Sequence, residues 1–234
     1  MAERLRSVAA PTQRVISAAR QHLVARLAGE ILCARDEGVT RVAVDGVDGA
    51  GKTMLADELA TVVGAGDREV IRASVDDFHN PRSVRYQRGR QSPEGFFLDS
   101  HDYDLLRRLL LDPLAPGGCR RFRRRAFDVS RDEPVDAAPQ TAPDNAILIL
   151  DGIFLHRHEL RELWDYSIFL DVAFESSVAR CVARDNPAAS VDVNAPANRR
   201  YVAGQQLYIA TCNPHANATR LIDNNSLAAP VIVR

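Results

Sequence analysis

The segment Gly46-Val-Asp-Gly-Ala-Gly-Lys-Thr53 constrains this chain more than any other. It fits the pattern G-x-x-x-x-G-K-[ST], and its neighbours supply the context the pattern needs. Arg41–Asp45 reads as a β-branched strand before it, and Met54–Val63 as a helix after it. Strand, glycine-rich loop and helix start together point main-chain N–H groups into one concavity at the positive end of a helix. Gly46, Gly49 and Gly51 let the backbone curl there. The expected phosphate-contact set is therefore Gly46, Asp48, Gly49, Ala50, Gly51, Lys52, Thr53 and Met54. Lys52 is placed to reach the β- and γ-phosphates, and Thr53 to offer its hydroxyl to Mg²⁺. The motif implies a nucleoside triphosphate; by itself it does not separate a kinase from a GTPase or a motor.

The rest of the chain reads as a three-layer α/β fold. Glu69–Ala73, Ala146–Leu150, Tyr166–Leu170 and Pro230–Val233 read as further strands. Helical spacing covers about 12–35, Asp104–Leu111, Phe174–Arg184 and Arg199–Cys212. Continuous apolar strands alternating with helices argue for a parallel sheet of about five strands covered on both faces. One domain spanning 1–234 is expected, with a core from 41 onward. Residues 77–102 and 112–145 read as loops for an acceptor, and about 180–200 as a lid. Ile222–Asn225 reads as a loop near the base of the nucleotide.

Composition bears on partners. The formal net charge of −1 gives no bulk case for nucleic acid or an anionic membrane. No apolar run approaches the roughly 20 residues of a membrane span. The four cysteines are scattered and form no CxxC pair, which suits a reduced, cytoplasmic setting better than a disulfide framework. Lys52 is the one lysine in the sequence; all other Lys-or-Arg positions are arginine.

Carboxylates stand where the chemistry needs them. Asp76 and Asp77 follow the second strand, and a carboxylate there can orient or deprotonate an acceptor hydroxyl. Asp151 closes the run Ile147–Leu150, a layout that presents an acid to Mg²⁺.

Taken in order, these segments carry a family resemblance. Gly46–Thr53, Ser74-Val-Asp-Asp-Phe-His79, Ser92-Pro-Glu-Gly-Phe96, Asp99-Ser-His-Asp-Tyr-Asp104, Asp151-Gly-Ile-Phe154 and Arg180-Cys-Val-Ala-Arg-Asp185 together resemble the uridine kinase, phosphoribulokinase and pantothenate kinase group. The resemblance implies a P-loop kinase using ATP and Mg²⁺, with Asp76 as catalytic base near the metal and Thr53 and Asp151 beside it. Asp151 stands where the group usually has Glu. It implies Arg184 as the lid arginine on the ATP phosphates, with Arg180 one turn earlier on the same face. Asp99 and His101 fall near an acceptor-binding segment, and Arg85, Arg88 and Arg90 lie in the loop between. Phe122 and Phe127, in the basic run Arg120–Asp128, fall where the group reads its acceptor.

Departures concern the acceptor. Phe127 replaces a pyrimidine-reading histidine, and the Phe-x-x-x-x-Phe-Asp spacing is nearer the pantothenate kinase pattern. The arginines would also suit an anionic acceptor. After Arg184-Asp185 the chain reads Asn186–Ser190 instead of further arginines, leaving Arg199 and Arg200 as substitutes. The expectation is an ATP-dependent kinase for a small hydroxyl acceptor, a nucleoside first, with pantothenate, a phosphosugar or another nucleoside-like metabolite as alternatives. A regulatory nucleotide-binding ATPase is the rival from another class. No nucleic-acid or membrane partner is expected, and a homo-oligomer is left open.

Overall fold

The structure is a computed structural model that describes residues 17–234. The start of the expected first helix, residues 12–16, lies outside the described residues.

In chain order, helix α1 (Ala18–Leu32) leads to strand β1 (Thr40–Gly46), helix α2 (Lys52–Val63) and strand β2 (Val70–Ser74). A 3₁₀ turn, Val75–Phe78, opens the first long connection. It holds α3 (Arg82–Arg85), α4 (Pro93–Asp99) and α5 (Tyr103–Leu106), and α5 runs into a wide turn over Arg107–Leu111. Four two-residue strands follow: β3 (Arg121–Phe122), β4 (Phe127–Asp128), β5 (Glu133–Pro134) and β6 (Gln140–Thr141). The chain then returns to the sheet with β7 (Ile147–Asp151) and β8 (Tyr166–Asp171). It closes with α6 (Phe174–Asp185), α7 (Pro196–Cys212), α8 (Pro214–Asn217), β9 (Arg220–Asp223) and β10 (Val231–Ile232).

The main sheet has the order β10-β9-β8-β1-β7-β2. Five of these strands are parallel, and β10 pairs antiparallel with β9 at one edge. The expected five-strand parallel sheet is therefore present with one strand added. β9 accounts for a difference: Ile222 and Asp223, read as loop, lie in the sheet, and only Asn224 onward leaves it. Phe122 pairs with Gln140 and Phe127 with Pro134 in two small hairpins outside the main sheet.

The alternation of β1 and β7 explains the two covered faces. Val42, Val44, Ile147 and Ile149 pack with Leu27 and Ile31 of α1 and Leu55 and Leu59 of α2. Ala43, Leu148 and Leu150 point the other way, against Leu106, Leu110 and Leu111. All are essentially water-free, and each fully buried aliphatic side chain contributes about 1.5–3 kcal/mol. Capping fixes the helix ends that bound the connections. Ser17 accepts from the N–H of Arg20 before α1, and Ser92 accepts from the N–H of Gly95 at 3.0 Å, with Pro93 at the first position of α4.

A buried carboxylate ties α7 and the segment after β7 to the phosphate-loop end of the sheet. Asp45, last side chain of β1 before Gly46, is fully buried. Its Oδ1 accepts the N–H of Gly46 at 2.7 Å. Its Oδ2 accepts from the N–H of His156 at 3.0 Å, lies 2.8 Å from Nδ1 of the same residue, and accepts the Tyr208 hydroxyl of α7.

Candidate active site

The loop between β1 and α2 takes its shape from backbone that only glycine adopts easily. Gly49 and Gly51 have φ of +68° and +91°, and Gly51 is the left-handed cap of α2. A Cβ on Gly49 would stand 2.5 Å from the Ser177 carbonyl oxygen, so α6 packs directly on the loop. That packing is hydrogen-bonded: the Ser177 hydroxyl donates to the Asp48 carbonyl at 2.5 Å, and Gln205 of α7 accepts the Asp48 N–H at 2.5 Å. On the far side, buried Asn224 donates to the Ala50 carbonyl at 2.6 Å. Lys52 lies back on its own loop, its ammonium donating to the Val47 carbonyl at 2.8 Å.

At the start of α2, Thr53 donates its hydroxyl to Asp151 Oδ2 at 2.6 Å. The other oxygen of Asp151 accepts from Arg72 at 3.0 Å. Asp151 is buried at the end of β7, beside β1. A hydroxyl and a carboxylate in contact, both hard oxygen donors, fit a Mg²⁺ ion.

Asp76 sits one strand away, on the turn after β2. Its side chain is 69% exposed, and its Oδ1 is 3.5 Å from Nε2 of His101, a fully buried ring. Desolvation by the atoms packed around the carboxyl works to raise its pKa, even though much of the side chain meets solvent. The His101 contact, with the fields of His101, His79 and Lys52, outweighs that and holds Asp76 at about 2. Burial pushes His101 down to about 4. Asp48 is pushed up by burial, with the Lys52 charge opposing.

A cavity of about 470 Å³ joins these parts, a volume suited to a small ligand. Asp48 of the loop, Asp76 and His79 of the turn, Arg184 of α6 and Tyr201 and Gln205 of α7 all line it. Its apolar walls come from Phe96, Ile153, Val178, Val182 and Val202. The lining charges are Asp48, Asp76, Asp185 and Arg184. Arg184 is itself forked onto Asp185 at 2.7 and 2.8 Å. That pairing raises the Arg184 pKa.

The matching sequence profile is that of the Phosphoribulokinase / Uridine kinase family, and it spans residues 42–223. The chain belongs to this family. The fold agrees with its kinases: the phosphoribulokinase/uridine kinase-family chain is similar to the structure of a possible uridine kinase from Bacillus stearothermophilus, with a TM-score of 0.66 at 20% identity, covering 86% of this chain and 97% of that one. It is similar to a candidate fructose transport system kinase from Silicibacter sp., TM-score 0.67 at 26% identity, covering 81% and 95%. It also resembles D-glycerate 3-kinase from Cryptococcus neoformans, TM-score 0.53 at 13% identity, covering 91% and 98%. No curated protein matches the chain. As a member of this family the chain is a nucleotide-binding phosphotransferase with a small-molecule substrate, and kinases of the family use ATP and normally Mg²⁺. Among the described residues, no helix is long and apolar enough to cross a membrane.

The residues singled out from the sequence fall into two groups. Asp48, Asp76 and Arg184 meet at the cavity, with Lys52, Thr53 and Asp151 behind it. Arg180 turns toward the loop and the segment after β9, donating to the carbonyls of Gly49, Asn224 and Asn225. Ala50 is fully buried, its carbonyl bound by Asn224, and Met54 lies in the first turn of α2.

The acceptor candidates mostly lie elsewhere. Phe122 is 3% exposed and packs in the core under the hairpins, because its strand turns that face inward. Phe127 is buried on β4 and does not line the cavity. Asp99 is taken up by Arg88 at 2.9 Å, and Arg90 rests its guanidinium on the Tyr86 ring. Arg85 pairs with Asp132, and Arg125 with Asp77 and Asp128. Arg200 is buried against Tyr86 and the carbonyl of Arg90, so it braces α7 instead of replacing lid arginines.

Sequence reasoning missed His79, Ser177, Tyr201 and Gln205. Ser177 and Gln205 carry no motif; only the packing of α6 and α7 on the loop brings them in. His79 was legible in principle, standing three residues after Asp76.

Proposed function

We propose that this chain transfers the γ-phosphoryl group of ATP to a hydroxyl of a small, uncharged, hydroxyl-rich acceptor, a nucleoside or a free sugar. One observation carries the reading: the phosphate loop and the Asp76 carboxylate face the same cavity. The loop amides and Lys52 are placed to bind the triphosphate, and helix α2 adds its positive end. Thr53 and Asp151 would hold Mg²⁺, which neutralises charge on the phosphates when bound. Asp76 accepts the acceptor hydroxyl's hydrogen bond, orients its oxygen for in-line attack and takes up its proton. Arg184, on the cavity rim, turns from Asp185 to the transferring group as the 186–195 segment closes over it.

The preference for an uncharged acceptor follows from the lining. Three acids and one arginine face the space, and the neighbouring arginines Arg85, Arg88 and Arg125 are matched by Asp132, Asp99, and Asp77 with Asp128. A phosphorylated or carboxylated acceptor would find no unpaired arginine among the lining residues to receive its charge, because Arg184 is already forked onto Asp185. The 26% identity to a chain named as a fructose transport system kinase supports a free sugar, while the D-glycerate 3-kinase neighbour carries the fold alone.

The test is acceptor-dependent ADP release across nucleosides, free sugars, phosphosugars and pantothenate. Stimulation by nucleosides or free sugars is expected. Stimulation confined to phosphosugars or pantothenate would refute the acceptor class, and ATP turnover indifferent to every acceptor would favour the regulatory reading. Asp76→Asn is expected to cut transfer on the order of 10²–10⁴-fold while leaving ATP affinity near wild type.

A further inference from the structure

Two histidines are clipped together beside Asp76 by main-chain hydrogen bonds. His79 and His101 stand opposite each other in an isolated antiparallel bridge. The bridge is flanked by Asn80 N–H to Ser100 carbonyl at 3.0 Å and Asp102 N–H to Phe78 carbonyl at 2.8 Å. Their ring centroids lie 4.3 Å apart. One ring nitrogen of each and a carboxylate oxygen of Asp76 fall within 4.8 Å of one another.

The nitrogens are prepared for a ligand. Nδ1 of His79 is 2.8 Å from the Asp76 carbonyl, an acceptor that keeps the proton on Nδ1 and the lone pair on Nε2. Nδ1 of His101 has the Tyr103 hydroxyl at 3.4 Å. A second-shell partner on one ring nitrogen is how metal-binding imidazoles are held. Nε2 of His101 is buried, carries no hydrogen bond and points at Asp76. A buried nitrogen whose one polar neighbour stands 3.5 Å away is under-satisfied, and that costs free energy unless something fills its lone pair or brings the neighbour closer.

We propose that Asp76, His79 and His101 form a site for a borderline divalent transition-metal ion of the Zn²⁺ class, separate from the Thr53–Asp151 oxygen pair. Imidazole nitrogen suits zinc and its neighbours, whereas Mg²⁺ takes oxygen ligands. Bonds of about 2.0–2.1 Å to a tetrahedral ion put its ligands about 3.3 Å apart. The 3.5 Å between Asp76 and His101 is already near that edge. Asp76 and His79 are open enough to rotate inward, while His101 is fixed by burial. Three protein ligands leave a fourth position facing the cavity, and an ion there claims the carboxylate that the proposed function gives to the acceptor. The metal site itself does not depend on that function.

The test uses the full chain, stripped with chelator and kept in excess Mg²⁺. It is titrated with Zn²⁺ by calorimetry and with Co²⁺ by absorption. One ion per chain is expected, with Co²⁺ bands of a four- or five-coordinate nitrogen–oxygen site. His79→Gln and His101→Gln should each weaken binding at least about tenfold. His79→Gln alters a part-exposed ring and carries the test if the buried substitution fails to fold. No Zn²⁺ binding above the Mg²⁺ background would overturn the proposal and leave the trio a hydrogen-bond relay. So would affinity unchanged in His79→Gln, or thiolate-to-cobalt charge transfer, which would assign the ion to cysteines. None of these readouts needs an acceptor or turnover, so failure here is distinct from failure of the proposed kinase reaction.

Discussion

Replacing Tyr208 by Phe removes one oxygen from the buried cluster that ties α7 to the phosphate loop. In the wild type that hydroxyl donates to Asp45 Oδ2 and accepts the N–H of His156 at 2.9 Å. A hydrogen bond to a charged group contributes about 1.5–3 kcal/mol. The loss falls toward the lower half of that range, because the His156 N–H and ring keep Asp45 as partner and no donor is orphaned. The phenyl ring keeps its packing on Phe97 and Phe154, so little cavity cost is added. A stability loss of about 2 kcal/mol results, or a fall in Tm of roughly 4–8 °C for a chain of this size. Urea unfolding followed by circular dichroism measures the first and a thermal melt the second. ATP affinity should stay within about threefold, since Asp45 Oδ1 still holds the Gly46 N–H. Unfolding free energy within 0.5 kcal/mol of wild type, a bound of about the scatter of neutral surface changes, would refute the reasoning, because it would mean the cluster holds α7 without this bond.

Other substitutions probe separate parts. Gly49→Ala drives a Cβ into the Ser177 carbonyl from a left-handed backbone and should weaken ATP binding at least about tenfold by equilibrium titration, with a stability cost of about 1–3 kcal/mol. Phe122→Ala should cost about 3–5 kcal/mol of stability yet leave the acceptor KM unchanged, as its ring is core and not cavity wall. Glu30 is held down at about 2, first by Arg220, then against burial by Tyr166 and Arg26. A depressed carboxyl stabilises the fold above its unfolded pKa near 4.5 and loses that contribution as pH falls toward 2. Glu30→Gln should therefore lower Tm at pH 7 and flatten its decline between pH 4.5 and 2.

The phosphate loop was legible because its chemistry is written in contiguous residues: glycines for the turn, Lys52 and Thr53 for the helix start. β1, β2, β7 and β8 were legible as β-branched runs too apolar for an exposed strand. β9 was not, because Arg220-Leu-Ile-Asp223 is short and runs into Asn224-Asn225, a turn signal. Phe122 and Phe127 misled for a related reason. An aromatic ring among arginines looks like a ligand contact until two-residue hairpins, invisible to periodicity, fold it onto the core. Ser177 and Gln205 reach the loop from more than a hundred residues away, a distance no local pattern spans.

The solitary lysine has a practical corollary. Any reagent that seeks side-chain amines finds a single target in this sequence, and that target lies folded over the Val47 carbonyl at the mouth of the triphosphate cradle. Acylation at Lys52, read by peptide mass, thus becomes a footprint of the cradle, with no other side chain contributing and only a main-chain α-amine to set apart.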